Sequence, residues 1–198
     1  MLLAMARPRE FDEGAVLAAA QTAFRTHGYA GTSLQELTGA TGLGKGSLYA
    51  AFGDKHGLYL SVLDDYARRS IDGVRGELER RPAMDALREH LLAGARSSKG
   101  SPSCLLASST AELAAVDADV AGRVEDAFRT LEGCYAAAVA RAQEEGDLDP
   151  DADSAALGGL LLAVARGIEA LGHAGMPEAS LVRTAETALA GLPRPPAS

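Results

Sequence analysis

Residues 33–52 read SLQELTGATGLGKGSLYAAF, and this stretch decides the fold. Its first four residues form a capping-box pattern, in which serine and glutamate side chains bond each other's backbone N–H groups at a helix start. Gly42 ends that helix after about two turns. Gly44 then begins another short helix, in which Leu48 and Phe52 lie four residues apart on one face. The pattern predicts two short helices joined by a tight glycine-containing turn.

The composition of the whole chain favours helices throughout. The 198 residues are 47% hydrophobic and 23% charged, which is near the globular average and predicts a packed core. The aromatic residues are five Tyr and four Phe with no Trp, so Ala and Leu supply most of the apolar content. An all-α fold follows. The two cysteines, Cys104 and Cys134, fit neither a disulfide scaffold nor zinc-site spacing, and indicate a reducing compartment.

Capping residues and apolar periodicity predict nine helices. The first begins after Asp12 and ends at His27–Tyr29, and the fourth runs from Asp54 to about Gly73. The later helices are predicted at Met84–Ser97, Cys104–Ala115, Asp119–Glu145, Pro150–His173 and Ser180–Gly191. The fourth helix of this list has Asp149 as its N-cap and Pro150 at its first helical position. We expect residues 1–53 to form one domain, 54–191 a second, and 192–198 a disordered tail.

Two short helices around a glycine turn, followed by a hydrophobic residue, are the helix-turn-helix arrangement of DNA-binding proteins. An αα-corner in another helical protein has the same spacing. The net charge of −8 opposes DNA binding by the chain as a whole, but residues 1–55 carry five basic and five acidic residues, so the acidity lies in residues 56–198. Nucleic-acid binding therefore stays open for the N-terminal head.

A family resemblance is carried by three segments, which are Thr32–Leu37, Gly42–Phe52 and Asp54–Leu58. Over roughly residues 9–60, the sequence resembles the DNA-binding head of TetR-type transcriptional regulators. The resemblance implies a nine-helix fold, with a three-helix head joined by the fourth helix to a ligand-binding and dimerisation body. It also implies a homodimer, an operator in double-stranded DNA and a small-molecule effector. This sequence departs from the family pattern at Gly44, where a serine or threonine usually caps the third helix.

The predicted DNA-binding residues lie at the starts of the second, third and fourth helices. Lys45 and Ser47 offer donors on the exposed side of the recognition helix, while its small residues allow close approach of the backbone. The resemblance implies phosphate contacts for Tyr49 and Lys55. The full set is Thr32, Ser33, Gly44, Lys45, Gly46, Ser47, Tyr49, Ala50 and Lys55. Core packing of Tyr49 and a merely solvated Lys45 are the alternatives.

The N-terminal segment Arg7-Pro8-Arg9 is short and basic, a form that can enter a minor groove. A solvated terminus is an equal alternative. Met5 is a second candidate for the start of translation. The apolar run before these arginines is too short for a signal peptide, and a cytoplasmic location is expected.

The body is predicted to carry the dimer interface and the effector site. Small and apolar stripes on the last two helices would pair across a two-fold axis, with internal packing as the alternative. These residues are Leu160, Val164, Gly167, Leu171, Leu181, Ala185, Ala188 and Leu189. The effector-site candidates are Cys104, Ser108, Phe128, Tyr135, Arg166 and Glu169.

Cys104 has a second interpretation. If Ser103 caps the sixth helix, the thiol lies in the first turn, where the helix dipole favours thiolate and therefore reaction with electrophiles. A buried apolar role is the alternative.

Other classes of function find little support. The four histidines are scattered, and the sequence contains no metal-binding, phosphate-binding or nucleophile-elbow motif, so we predict no enzyme, no cofactor and no metal. A helical adaptor without DNA contact is the remaining alternative. The most apolar stretch, Leu157–Leu171, contains Arg166 and Glu169 and is shorter than a membrane span, so no membrane role is expected.

Overall fold

The computed structural model describes residues 11–97 and 104–195. Within these residues it contains nine α-helices and no β-strand, as predicted. The helices are α1 (Glu13–Gly31), α2 (Leu34–Thr41), α3 (Lys45–Phe52), α4 (Lys55–Glu79), α5 (Ala83–Ser97), α6 (Leu105–Glu112), α7 (Ala118–Glu144), α8 (Ser154–His173) and α9 (Glu178–Ala190). The basic segment Arg7–Arg9 and the possible start at Met5 lie outside the described residues.

The chain divides into two compact units, one ending at Asp65 and the other beginning at Tyr66. The boundary falls inside α4, later in the chain than the domain boundary expected after Gly53. The reason is that Leu58, Tyr59 and Val62, in the first half of α4, belong to the buried core of the first unit.

The first unit, the head, is organised by local caps that the sequence predicts. The Asp12 side chain accepts a backbone N–H of the first turn of α1 at 3.2 Å. Both bonds of the capping box form between Ser33 and Glu36. Gly42 ends α2 in the left-handed conformation, with φ 69°. Gly28, at φ 73°, breaks the first helix as expected, but helical structure resumes to Gly31.

The second unit, the body, is built around α7. This long helix packs against α5, α6 and α8, and α9 packs against α5 and α8. The Arg141 guanidinium on α7 donates to the carbonyls of Leu78 at 3.1 Å and Arg81 at 2.7 Å. The nearby Glu145 carboxylate accepts the backbone N–H of Ala83 at 2.7 Å. These bonds pair backbone groups at the end of α4 and the start of α5 that have no partner within their own helix. They thereby anchor that junction to α7.

Some predicted helix ends are wrong. Asp149 does not cap α8, because its carboxylate accepts the N–H of Asp151 at 3.0 Å within a tight turn that includes Pro150. The N-cap is Asp153, whose side chain accepts two backbone N–H groups of the first turn of α8. The fourth helix continues past Gly73 to its end at Glu79.

The start of α6 also differs from expectation. Cys104 is itself the N-cap residue and makes no side-chain capping bond, while Ser103 lies outside the described residues. The helix ends at Glu112 and not at Ala115.

The predicted disorder of the tail is wrong for its first residues. Leu192 is buried, and the Pro193 carbonyl accepts the N–H of Asp149 at 3.1 Å. Arg194 donates to the carbonyl of Asp147 at 2.9 Å. The tail therefore packs on the turn that follows α7. Residues 196–198 lie outside the described part of the chain.

Helix α8 has 20 residues and is long and apolar enough to cross a membrane by length and composition alone. The apolar stretch Leu157–Leu171 is shorter than a membrane span, but the helix that contains it extends beyond this stretch at both ends. In the fold, α8 packs along α7 and also contacts α5 and α9. It is a bundle helix of the body.

Candidate nucleic-acid interface and effector site

Helix α3 presents a nearly continuous exposed face. Leu48 is only 2% exposed and anchors the helix to the core of the head. Around it, the predicted recognition residues are exposed, namely Gly44, Lys45, Gly46, Ser47, Tyr49 and Ala50. Gly44 caps the helix without a side-chain bond, so its backbone is open to close approach.

Two lysines of this surface lie over aromatic rings. The Lys45 Nζ is 5.4 Å from the centroid of the Tyr49 ring, one turn along α3. The Tyr49 side chain is 38% exposed, so it does not pack in the core. The Lys55 Nζ is 4.3 Å from the ring centroid of Tyr29, which contacts Tyr59 edge-on at 4.8 Å. Both ammonium groups are thereby positioned at the surface of the head.

The start of α2 offers less to a phosphate than predicted. Thr32, predicted to bind DNA at the start of α2, is 1% exposed, and its hydroxyl donates to the Gly28 carbonyl at 2.6 Å, so this side chain is not available to a phosphate. The Ser33 N–H donates to the Glu36 carboxylate at 2.6 Å. This backbone bond from Ser33 is the main cause that lowers the pKa of Glu36. The exposed hydroxyl of Ser33 is the donor that remains there.

In the body, Arg166 is the centre of a polar cluster. Its Nη2 lies 2.8 Å from a carboxylate oxygen of Glu169, and its Nη1 lies 3.6 Å from the Cys104 sulfur. Burial opposes its charge, but Glu169, Cys104 and Tyr135 raise the pKa of Arg166 above its usual range. Its Nε is buried without a hydrogen-bond partner among the described residues.

Tyr135 belongs to a chain of hydrogen bonds that joins three helices. Its buried hydroxyl lies 2.8 Å from Nε2 of His90 on α5. The Nδ1 of the same histidine lies 2.6 Å from a carboxylate oxygen of Glu77, near the end of α4. The sequence does not predict this chain of hydrogen bonds, because Glu77, His90 and Tyr135 are far apart in it and share no motif.

A cavity of about 450 Å³ lies between α6, α7 and α8. It is lined by Ala107, Thr110, Phe128, Glu132, Gly159, Leu162, Ala163 and Arg166. Two of the predicted effector residues, Phe128 and Arg166, are therefore brought together, whereas Thr110 and Glu132 were missed.

The other predicted effector residues lie elsewhere. The Ser108 hydroxyl donates to carbonyls of its own helix, and Ser108 is not among the lining residues. Cys104 and Tyr135 are buried beside Arg166. Glu169 lines a separate cavity of about 170 Å³, together with His90.

The two stripes predicted for the dimer interface differ in their exposure. On α8, Leu160 and Leu171 are 48% and 44% exposed, and Val164 and Gly167 between them are half-buried. Of the four residues predicted for the interface on α9, only Ala188 is partly exposed. The assignment of the other α9 residues to the interface is wrong, because these side chains fill the core of their own chain: Leu181, Ala185 and Leu189.

Comparison with known proteins supports the interpretation of the head. Residues 16–62 match the family model described as bacterial regulatory proteins, tetR family, and residues 81–187 match a tetracyclin repressor-like C-terminal domain. The chain belongs to the TetR family of transcriptional regulators. It is a DNA-binding regulatory protein, and the family is not one of enzymes.

Two curated relatives span most of the chain. One is the HTH-type transcriptional repressor ComR of Escherichia coli, 30% identical, with 92% of this chain and 90% of ComR covered. Another is the HTH-type transcriptional regulator YezE of Bacillus subtilis, 32% identical, with 77% of this chain and 81% of YezE covered.

Solved structures show the same fold. A cysteine mutant of the TetR-family regulator CifR, in complex with 26-bp double-strand operator DNA, is 28% identical. Its TM-score is 0.80, with 94% of this chain and 100% of that chain covered. The reduced form of Escherichia coli NemR has a TM-score of 0.83 at 17% identity, with 93% of this chain and 98% of that chain covered.

Proposed function

We propose that the protein is a repressor that binds a palindromic operator as a homodimer and is released from it by a small-molecule effector. The observation that carries this proposal is helix α3, which exposes a set of small, basic and hydroxyl residues while Leu48 is buried in the core. Membership of the TetR family supports the same function.

Helix α3 is the recognition helix in this proposal and enters the major groove. Lys45 and Ser47 donate hydrogen bonds to base edges, and the small Gly46 and Ala50 allow close contact or meet a thymine methyl. Tyr49 and Lys55 contact phosphates, which positions the helix without reading the sequence. With one such helix per subunit, half-sites lie about one helical turn apart, or slightly more, on one face of the duplex.

Dimerisation is proposed through α8. Only 28% of the most apolar stretch of this helix is buried within the chain. Leu160 and Leu171 stand out on it as large exposed apolar side chains. A second copy of the same helix, packed across a two-fold axis, would cover this apolar stripe and place two heads on one operator.

The effector acts through the body in this proposal. The cavity between α6, α7 and α8 has a size suited to a small organic ligand. Arg166 at its wall influences Tyr135, and Tyr135 is joined through His90 to Glu77 on α4. Since α4 also contributes to the head, a ligand that alters this cluster can shift the balance between DNA-binding and released forms.

Operator binding by three variants tests the assignment of the DNA-contacting residues. We expect Tyr49→Ala and Lys55→Ala to weaken binding to all DNA sequences alike, and Lys55→Ala to reduce the salt dependence by about one counterion. Lys45→Ala should also relax base preference, because it removes a base contact. Fluorescence anisotropy on the selected operator and on a scrambled duplex measures both effects.

Glu144→Gln, an exposed change on α7, is the control and should leave DNA binding unchanged. If Tyr49→Ala, still folded, bound the operator as well as the wild type, α3 would not be the recognition helix.

A second candidate is an electrophile-sensing regulator of the same fold, favoured by the contact between the Arg166 guanidinium and the Cys104 sulfur. Thiolate is the reactive form of cysteine, and Arg166 is the cation that lies beside this sulfur. The sulfur would add to an α,β-unsaturated carbonyl compound. An S–C bond forms, the carbon–carbon double bond becomes single, and the thiol proton ends on the α-carbon.

Cys104→Ser distinguishes the two candidates. Under the first proposal, the variant is released by a non-covalent effector as readily as the wild type. Under the second, the variant stays on the operator and no longer responds to electrophiles. Persistent operator binding of Cys104→Ser in the presence of an electrophile that releases the wild type would favour the thiol mechanism. The half-buried Cys134→Ser is the matched control.

A further inference from the structure

We infer that the cavity between α6, α7 and α8 binds an organic cation with an apolar body, whose positive charge is held by Glu132. This inference deepens the proposed function, because it names the chemical class of the effector that this cavity would accept. It rests on the charges, the walls and the size of the cavity.

The charges of the cavity favour a cation. Two ionised side chains line it, Glu132 and Arg166. The charge of Arg166 is balanced by Glu169 at 2.8 Å. Glu132 has no hydrogen bond or ion pair with any residue in the described part of the chain, so its carboxylate is the unbalanced charge of the cavity. A carboxylate in an apolar cleft gains most from a ligand of opposite charge.

The walls fit the apolar part of such a ligand. Phe128 precedes Glu132 by one turn of α7, so the aromatic ring and the carboxylate lie on the same face of that helix. An aromatic face next to a carboxylate is a favourable environment for an ammonium group. Leu162 and Ala163 on α8 and Ala107 on α6 supply apolar contacts, and the volume of about 450 Å³ accommodates a small drug-sized molecule.

Gly159 keeps the carboxylate at the cavity wall. A Cβ atom at this position of α8 would lie 3.2 Å from a carboxylate oxygen of Glu132, which is tighter than an ordinary contact. Glycine therefore leaves room for the Glu132 side chain between α7 and α8. The binding site is thus formed by residues of three helices.

Binding of three probes to the full-length protein tests the inference. Phenylbutylamine, phenylbutanol and phenylbutyrate share an apolar body but carry a cationic, a neutral and an anionic end. Calorimetric titration should show the amine binding most tightly and the anion least. Glu132→Gln should weaken amine binding about tenfold or more and leave alcohol binding unchanged.

Two further variants make the result specific to this site. Glu144→Gln removes an exposed carboxylate of the same helix and should leave binding of all probes unchanged. Ala163→Phe fills the cavity without changing its charge and should weaken the amine and the alcohol alike. The comparison of the three probes on the wild-type protein does not depend on the folding of any variant.

Several results would overturn the inference: no binding of the amine at millimolar concentration, tighter binding of the anion, or unchanged amine binding in Glu132→Gln or Ala163→Phe. Operator binding by the same proteins separates this inference from the proposed function. A protein that binds its operator but not the amine leaves the repressor proposal intact, whereas a protein without sequence-specific DNA binding contradicts that proposal.

Discussion

Tyr135 is a polar side chain buried completely in the body, and its neighbours determine its chemistry. Its hydroxyl has His90 as a hydrogen-bond partner at 2.8 Å, so its burial is compensated. Burial is the main cause that raises the pKa of the Tyr135 hydroxyl, and the positive charge of Arg166 opposes that shift only in part. The folded protein therefore favours the neutral form.

This raised pKa predicts a loss of stability at alkaline pH. The unfolded chain releases this proton at a pKa of about 10, whereas the folded chain retains it. The contribution of Tyr135 is thus fully present below that pH and is lost as pH rises further. Urea unfolding across the alkaline range should show a fall in stability that is smaller in Tyr135→Phe than in the wild type. An identical fall in both proteins would contradict this explanation.

Tyr135→Phe should also cost about 0.5–1.5 kcal/mol at neutral pH, because His90 loses a hydrogen-bond partner. The measurement is the free energy of unfolding in urea. The two effects of Tyr135→Phe on stability are separable, because only the effect on the alkaline fall in stability depends on pH.

At the scale of elements, the pairing of α7 with α8 forms the centre of the body, and one glycine permits it. A Cβ atom on Gly158 would lie 2.7 Å from the backbone nitrogen of Ala136 on α7. Real Cβ atoms essentially never come so close to backbone. The two helices can approach to this distance only because α8 has no side chain there.

Gly158→Ala should therefore destabilise the protein by about 1–3 kcal/mol, in spite of the better helix propensity of alanine. Gly133→Ala on α7 is the matched control, since nothing lies within 4 Å of its added Cβ. The control should be neutral or stabilising by up to about 1 kcal/mol. Thermal unfolding of both variants checks the difference. Equal stabilities would mean that the helices separate at little cost.

At the scale of the whole molecule, the proposed function requires two copies acting together. Gly167 lies in the half-exposed stripe of α8, and nothing in its own chain lies within 4 Å of an added Cβ. Packing inside one subunit therefore does not require glycine at this position. Close approach of a second subunit does, under the dimer proposed above.

Gly167→Leu should shift the protein toward monomer and reduce operator binding with it, because one head alone contacts only a half-site. Sedimentation velocity measures the oligomeric state. Gly122→Leu, the same substitution at an exposed glycine of α7 with nothing within 4 Å of an added Cβ, should leave the sedimentation unchanged. An intact dimer of the Gly167→Leu protein would remove this stripe from the interface.

Under the proposed function, effector and operator must also affect each other reciprocally. If the effector weakens operator binding by a typical factor of about 5–150, operator DNA must weaken effector binding by the same factor. Titration of the effector in the presence and absence of saturating operator checks this equality. Unequal factors would show that an additional component takes part.

The sequence alone determined the features that depend on neighbours a few residues away. The capping box at Ser33, the left-handed turn at Gly42 and the N-cap at Asp12 were all predictable, because each rests on hydrogen bonds within a single turn. The exposed face of α3 follows from the spacing of Leu48 and Phe52. The helix-turn-helix head was therefore predictable from the sequence.

The tertiary structure alone decided which side of each body helix faces the core. The apolar stripe of α9 has the same period whether it meets α5 or a second subunit, and only packing shows that Leu181 and Ala185 are internal. The contact of His90 with Tyr135 joins helices far apart in the sequence, and so does the cavity in which Glu132 has no ion-pair partner among the described residues. Local patterns carry no information on such pairings, because the free energy that selects them comes from burial in the complete fold.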